Sequence, residues 1–152
     1  MELSDFIMQM ELHRKEQDNL YHRVAAHFGL TDTTMLVLYL VSDTKVPCTQ
    51  QELCRRSFYA KQTINTALSA LVRQGYATLE PIPGSRKQKQ ILLTGQGQAL
   101  ARRTTELLRE AELRAYGTLA PGQLDAYLAT TEAITAALRK EFTNLVTQGD
   151  QT

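Results

Sequence analysis

Residues 49–94 constrain the fold more than any other part of the sequence, because four local signals follow one another there with almost no residues to spare. Thr49-Gln50-Gln51-Glu52 has the form of a capping box, with Thr49 as the cap and Glu52 reaching back. It opens a short helix over about 50–56. A turn at Ser57-Phe58-Tyr59-Ala60 leads into a second helix over about 61–74, with Ile64, Leu68, Leu71 and Val72 on one face and Gly75 placed to end it. Two short strands, Tyr76 to Glu80 and Gln90 to Thr94, enclose a polar loop that contains Pro81, Pro83 and Gly84.

The flanks are helical. Residues 3–28 carry Leu3, Phe6, Ile7, Met10, Leu20, Val24 and Phe28 near helical spacing, and Gly29 ends the run. Thr31 is the expected N-cap of a helix over about 32–43. Its segment Met35-Leu36-Val37-Leu38-Tyr39-Leu40-Val41 is apolar on all sides and is expected to be buried, and Pro47 breaks the chain beyond it. One long helix is expected over about 95–117. Another starts at Pro121 and runs to about 147, with Leu124, Tyr127, Leu128, Thr131, Ile134, Leu138, Phe142 and Leu145 as its stripe and a frayed tail from Thr147. Two such helices have little to cover on so small a domain, and pairing with a second copy would cover them.

Charge separates the middle of the chain from its ends. Lys45, Arg55, Arg56, Lys61, Arg73, Arg86, Lys87 and Lys89 face only Glu52 and Glu80 between positions 45 and 94, so that segment carries +6 and the remainder −5, within a net charge of +1. A basic centre between acidic flanks suits a polyanion. No stretch of eighteen apolar residues is present, so no membrane span is expected. An acidic N-terminus without signal-peptide layout, and two cysteines without a CxxC spacing, point to a reducing cytoplasm and away from a disulfide scaffold or zinc site.

A helix, a turn, a helix and a hairpin in that order form the plan of a winged helix-turn-helix, whose second helix lies in the major groove of DNA while the first crosses the backbone. With the apolar face of 61–74 turned inward, Gln62, Thr63, Asn65, Thr66, Ser69 and Arg73 face outward. These short hydrogen-bonding side chains suit base edges, and no carboxylate stands among them to repel phosphate. Thr49 and Gln50 at the start of the preceding helix join the DNA-binding set, and Lys61 sits nearer a phosphate. The loop Gly84-Ser85-Arg86-Lys87-Gln88-Lys89 places Arg86, Lys87 and Lys89 at the hairpin tip, in reach of phosphates or a minor groove.

Phe28-Gly29-Leu30-Thr31, Thr49-Gln50-Gln51-Glu52-Leu53, Lys61-Gln62-Thr63-Ile64-Asn65, Leu71 through Tyr76 and Leu93-Thr94-Gly95-Gln96-Gly97 together resemble the MarR family of bacterial regulators over nearly the whole chain. The resemblance implies a mainly α fold with a small β-hairpin: a winged helix-turn-helix part at 30–94, with helices at 1–29 and 95–147 that pair two copies, all in a single domain. It also implies a transcriptional regulator that binds a pseudo-palindromic operator as a homodimer, a repressor released by a small aromatic or phenolic effector. His13, Tyr21, His27 and Tyr39 are the candidate effector contacts under that reading. The wing departs from the family's common Asp-x-Arg pair, because Ser85 or a neighbour stands at the Asp position and the tip offers only cations.

Other chemistries find little support. The three histidines lie on the first helix without a ligand pattern, so no metal is expected. Cys54 is expected in the core, and Cys48 near a strand or turn where a side chain can be exposed; neither is placed for a thiol switch. No phosphate-binding glycine loop, carboxylate pair in an apolar setting or nucleophile elbow occurs, so neither enzyme activity nor a cofactor is expected. A winged helix serving as a protein adaptor would be marked by an acidic recognition face or a neutral wing, and the sequence has neither.

Overall fold

The apolar run at 35–41 becomes the centre of the protein. In the computed structural model, which describes residues 1–43, 48–85 and 87–149, α2 (Asp32–Ser42) buries Met35, Val37, Leu38, Leu40 and Val41. Thr31 caps it by accepting from the Thr34 N–H at 3.1 Å. Around it stand α1 (Leu3–His27), β1 (Cys48–Thr49), α3 (Gln50–Ser57), α4 (Lys61–Arg73), β2 (Ala77–Pro81), β3 (Lys89–Leu93) and α5 (Gly95–Arg102). The helices α6 (Thr105–Tyr116) and α7 (Pro121–Gly149) follow. The chain divides into two compact units, residues 1–109 and 110–152.

In the first unit, α4 contributes Ile64, Ala67, Leu68 and Leu71 to the core beside Leu53 of α3, Ala77 of β2, Ile91 of β3 and Leu100 and Ala101 of α5. A smaller cluster of Ala25, Met35 and Leu108 joins α1, α2 and the start of α6. Tyr39 is packed beside both clusters, with the Arg109 guanidinium 4.6 Å above its ring. The second unit is α7 with the end of α6. No residue of α7 whose exposure is described is buried.

Several expectations shift. The hairpin is part of a three-stranded antiparallel sheet in the order β1-β3-β2, because Cys48 and Thr49 pair with Ile91 and Gln90. The first wing strand starts at Ala77, one residue late. The Tyr76 N–H instead closes the end of α4 on Leu71 O at 2.8 Å while Gly75, at φ +79°, bonds Val72 O. Pro81 is tolerated in β2 because that strand is an edge. Lys89, expected in the loop, is the first residue of β3 and pairs with Pro81.

The single helix expected over 95–117 is two. Around Arg103 and Thr104 the bonding tightens, with the Thr104 N–H on Ala101 O and its hydroxyl donating to Leu100 O at 2.6 Å, so that Thr104 and Thr105 turn inward. The last helix holds through Gly149 rather than fraying from Thr147, and residues 150–152 lie outside the described part. The capping box is half formed. Thr49 Oγ1 accepts from the Glu52 N–H at 3.1 Å, but the Glu52 carboxylate turns away to a bidentate pair with Arg55 at 2.6 and 2.9 Å. A charge-assisted fork outcompetes a single backbone N–H. It also holds the Glu52 carboxyl below its usual range.

Candidate nucleic-acid interface

The helix α3 and the sheet meet at Thr49. It is the last residue of β1, paired with Gln90 of β3, and at the same time the cap of α3, so the start of α3 is pinned against the wing. The packing of Ile64, Ala67, Leu68 and Leu71 into the core fixes the rotation of α4. Gln62, Thr66, Ser69 and Arg73 are exposed on its other side, while Thr63 and Asn65 are half-buried at its edge.

Between these elements runs a groove of ≈ 450 Å³ lined by Thr49, Gln50, Gln51, Cys54, Lys61, Leu79, Lys87, Gln88 and Lys89. Five of the residues singled out from sequence (Thr49, Gln50, Lys61, Lys87 and Lys89) therefore share one concave surface. Among the described residues no carboxylate pairs with Lys61, Arg73, Lys87 or Lys89. The outward side of α4 has no acidic side chain, and its N-cap, Ala60, offers no side-chain acceptor, which leaves the first N–H groups of α4 open. Arg86 lies outside the described residues.

The structure adds groove residues that the sequence did not mark. Gln51 and Cys54 of α3, Leu79 of β2 and Gln88 of the wing loop reach the groove, and no periodicity links them. It also joins two residues that were marked separately, since Gln50 Nε2 donates to Asn65 Oδ1 across the helix-turn-helix. Gln50 and Asn65 therefore stand in contact at the foot of α4.

The candidate effector contacts do not converge within the chain. His13 faces Glu16 at 3.7 Å on the open surface of α1, and His27, about four turns on and hence roughly 21 Å away, is exposed beside Phe28. Tyr21 is exposed, and Tyr39 is half-buried under Arg109. None of the four lines the groove. Nor do they line a second cleft of ≈ 650 Å³ formed by Val41, Ser42, Cys48, Gln90, Ile91, Leu92, Leu93, Gln98, Ala101, Arg102 and Glu106.

Cys54 packs against the core as expected, whereas Cys48 is buried rather than open. Cys48, paired with Ile91 in the sheet, is buried in the core, and burial pushes its thiol up to about 11. Cys54 is only half-buried and borders the groove.

Residues 28–88 match the model of the MarR family. Among solved structures, a MarR family regulator from Neisseria meningitidis is 21% identical with a TM-score of 0.79, over 95% of this chain and 99% of that one. Staphylococcus aureus MarR in complex with salicylate and kanamycin is 18% identical with a TM-score of 0.67, over 91% and 93%. S. aureus MepR in a DNA complex is 20% identical with a TM-score of 0.63, over 91% and 98%. No curated protein matches the sequence. Residues 28–88 thus resemble the MarR family, and the chain has, over nearly its whole length, the fold of solved MarR-family regulators.

Proposed function

We propose that this protein is a sequence-specific, DNA-binding transcriptional regulator, a homodimer that represses from a pseudo-palindromic operator and lets go when a small aromatic or phenolic effector binds. The observation that carries the reading is the groove, where Lys61, Lys87 and Lys89 stand over the foot of α4 with no carboxylate on that helix's outer side. In this reading residues 30–94 form the DNA-binding part. Lys61, Gln62, Thr63, Asn65 and Thr66 read or position bases in the major groove, while Arg73, Arg86, Lys87 and Lys89 hold phosphates or the minor groove. Thr49, Gln50 and Ser69 border that surface. The solved DNA complex of MepR, similar in fold, supports the DNA partner, and the salicylate complex of S. aureus MarR supports the effector class.

Pairing through residues 1–29 and 95–147 is supported by the apolar side chains these segments leave open. Leu3, Ile7 and Met8 on α1 are each at least 60% exposed, as are Leu145 and Val146 on α7. Apolar surface on that scale marks an association site. A regulator of this kind works in the cytoplasm, in keeping with two unpaired cysteines.

The test is selection from a random duplex library with the purified protein, followed by titration of the enriched duplex at several salt concentrations. A specific duplex should emerge, and its affinity should fall steeply with salt as counterions are released. Replacing both Lys87 and Lys89 with Ala should weaken binding to every duplex and flatten the salt slope by about two phosphates' worth. An unchanged slope would remove the wing from the interface.

A further inference from the structure

Among the described residues, Phe58 is the one non-glycine position with positive φ, at +58°. It ends α3 in the left-handed conformation, its N–H bonded to Cys54 O at 3.1 Å. An L side chain crowds its own carbonyl there, which is why glycine usually takes the place. The chain follows that rule at Gly29, Gly75 and Gly84, the other described positions with positive φ. At position 58 it sets a phenyl ring, and the ring is 92% exposed. Among the described residues no packing offsets the strain, which points to a contact from outside the chain.

Its surroundings indicate what that contact is. Phe58 stands in Arg55-Arg56-Ser57-Phe58-Tyr59-Ala60-Lys61, three cations and no acid, beside a second exposed aromatic in Tyr59. Glu52 and Asp43 hold Arg55 and Arg56 in place, and Lys61 has no such partner among the described residues. The ring lies three residues before Lys61, at the end of α4 that enters the groove in the reading above. Aromatic rings among cations match nucleotides, with the charges on phosphates and the ring on apolar carbon.

We propose that Phe58 contacts DNA at the edge of the major groove, its ring covering the apolar surface of a nucleotide, either a thymine 5-methyl group or a deoxyribose. The proposal rests on the DNA-binding reading, and its test separates the two. Wild-type protein is first used to select a duplex from a random library. Phe58→Gly and Phe58→Asn, both suited to the left-handed conformation, are then titrated on that duplex and on copies in which single thymines are replaced by deoxyuridine. Each variant should melt at the same temperature as wild type or a few degrees higher, because the strain is gone. Each should nevertheless bind about tenfold more weakly, the consequence of uncovering one apolar contact of this size. A deoxyuridine position that weakens wild type but not Phe58→Gly identifies the methyl group as the contact. A loss in the variants that is the same at every thymine identifies the sugar. If both folded variants bind as tightly as wild type, the proposal is wrong and the ring belongs to a protein partner. If wild type enriches no duplex, the DNA-binding reading fails and the proposal fails with it.

Discussion

At the residue scale, the bond from Gln50 to Asn65 bears on the base reading proposed for the foot of α4. An asparagine that reads adenine offers its amide N–H to N7 and its oxygen to the N6 amino group. Here the oxygen of Asn65 already accepts from Gln50, which leaves it the amide donors and one free lone pair. Gln50 then orients the Asn65 amide, and the oxygen of Gln50 stands ready as a further acceptor. Removing either side chain disables the pair. Asn65→Ala and Gln50→Ala should each lower affinity for the selected duplex by about 1–3 kcal/mol with little effect on scrambled DNA. The double variant should lose little more than either single one, so that the cycle returns a coupling of about 1 kcal/mol or more. Titration of all four proteins at one salt concentration measures this. Additive losses would mean that the two amides meet DNA independently.

At the scale of elements, what could be read from the sequence was what local spacing encodes. The burial of α2 follows from an unbroken apolar run, and the rotation of α4 from Ile64, Leu68 and Leu71. What could not be read is what distant partners decide. β1 is two residues long and exists only because β3 pairs with it, so no local pattern announces it or the burial of Cys48. The turn between α5 and α6 hangs on Thr104 bonding Leu100 O, although the residues around it favour a continuous helix. Likewise the cations of the wing were visible as a charge cluster, whereas their meeting with Gln51, Cys54 and Leu79 in one groove depends on the sheet. The joint between wing and α5 turns on one glycine. Thr94 Oγ1 donates to Gly75 O at 2.6 Å and accepts from the Gly97 N–H at 3.1 Å, and its own N–H bonds Tyr76 O, which draws α5 onto the end of α4. A Cβ at position 97 would collide with the Tyr76 carbonyl, whereas one at Gly95 would meet nothing within 4 Å. Gly97→Ala should therefore cost about 3 kcal/mol in urea unfolding, from backbone overlap that no side-chain rotation relieves. Gly95→Ala, in the first turn of the same helix, should be neutral or slightly stabilising. Equal stability of the two would show that α5 is not seated as described.

At the scale of the whole molecule, α7 is defined by the apolar side chains it exposes. The helix has 29 residues, and Tyr127, Leu128, Phe142, Leu145 and Val146 are all more than half exposed, with Ile134 and Leu138 at 40% and 44%. A side chain that exposed adds little to the stability of its own chain, so Leu138→Glu should leave the isolated fold largely intact. In a dimer joined through this helix the same change would bury a carboxylate without a partner, at a cost of several kcal/mol to association. The expected outcome is a chain that sediments as a monomer at micromolar concentration with its helical circular dichroism retained. DNA binding should then separate into two parts. A dimer holds both half-sites of a pseudo-palindrome, one helical turn or a multiple of it apart, and gains from the high effective concentration of the second winged unit once the first is seated. A monomer keeps the intrinsic affinity of one unit alone. Leu138→Glu should accordingly bind a duplex with a single half-site about as well as wild type does, and lose about a hundredfold or more on the full operator. A variant that still sediments as a dimer would show that the two copies meet elsewhere, and the exposed stripe of α7 would then need another partner.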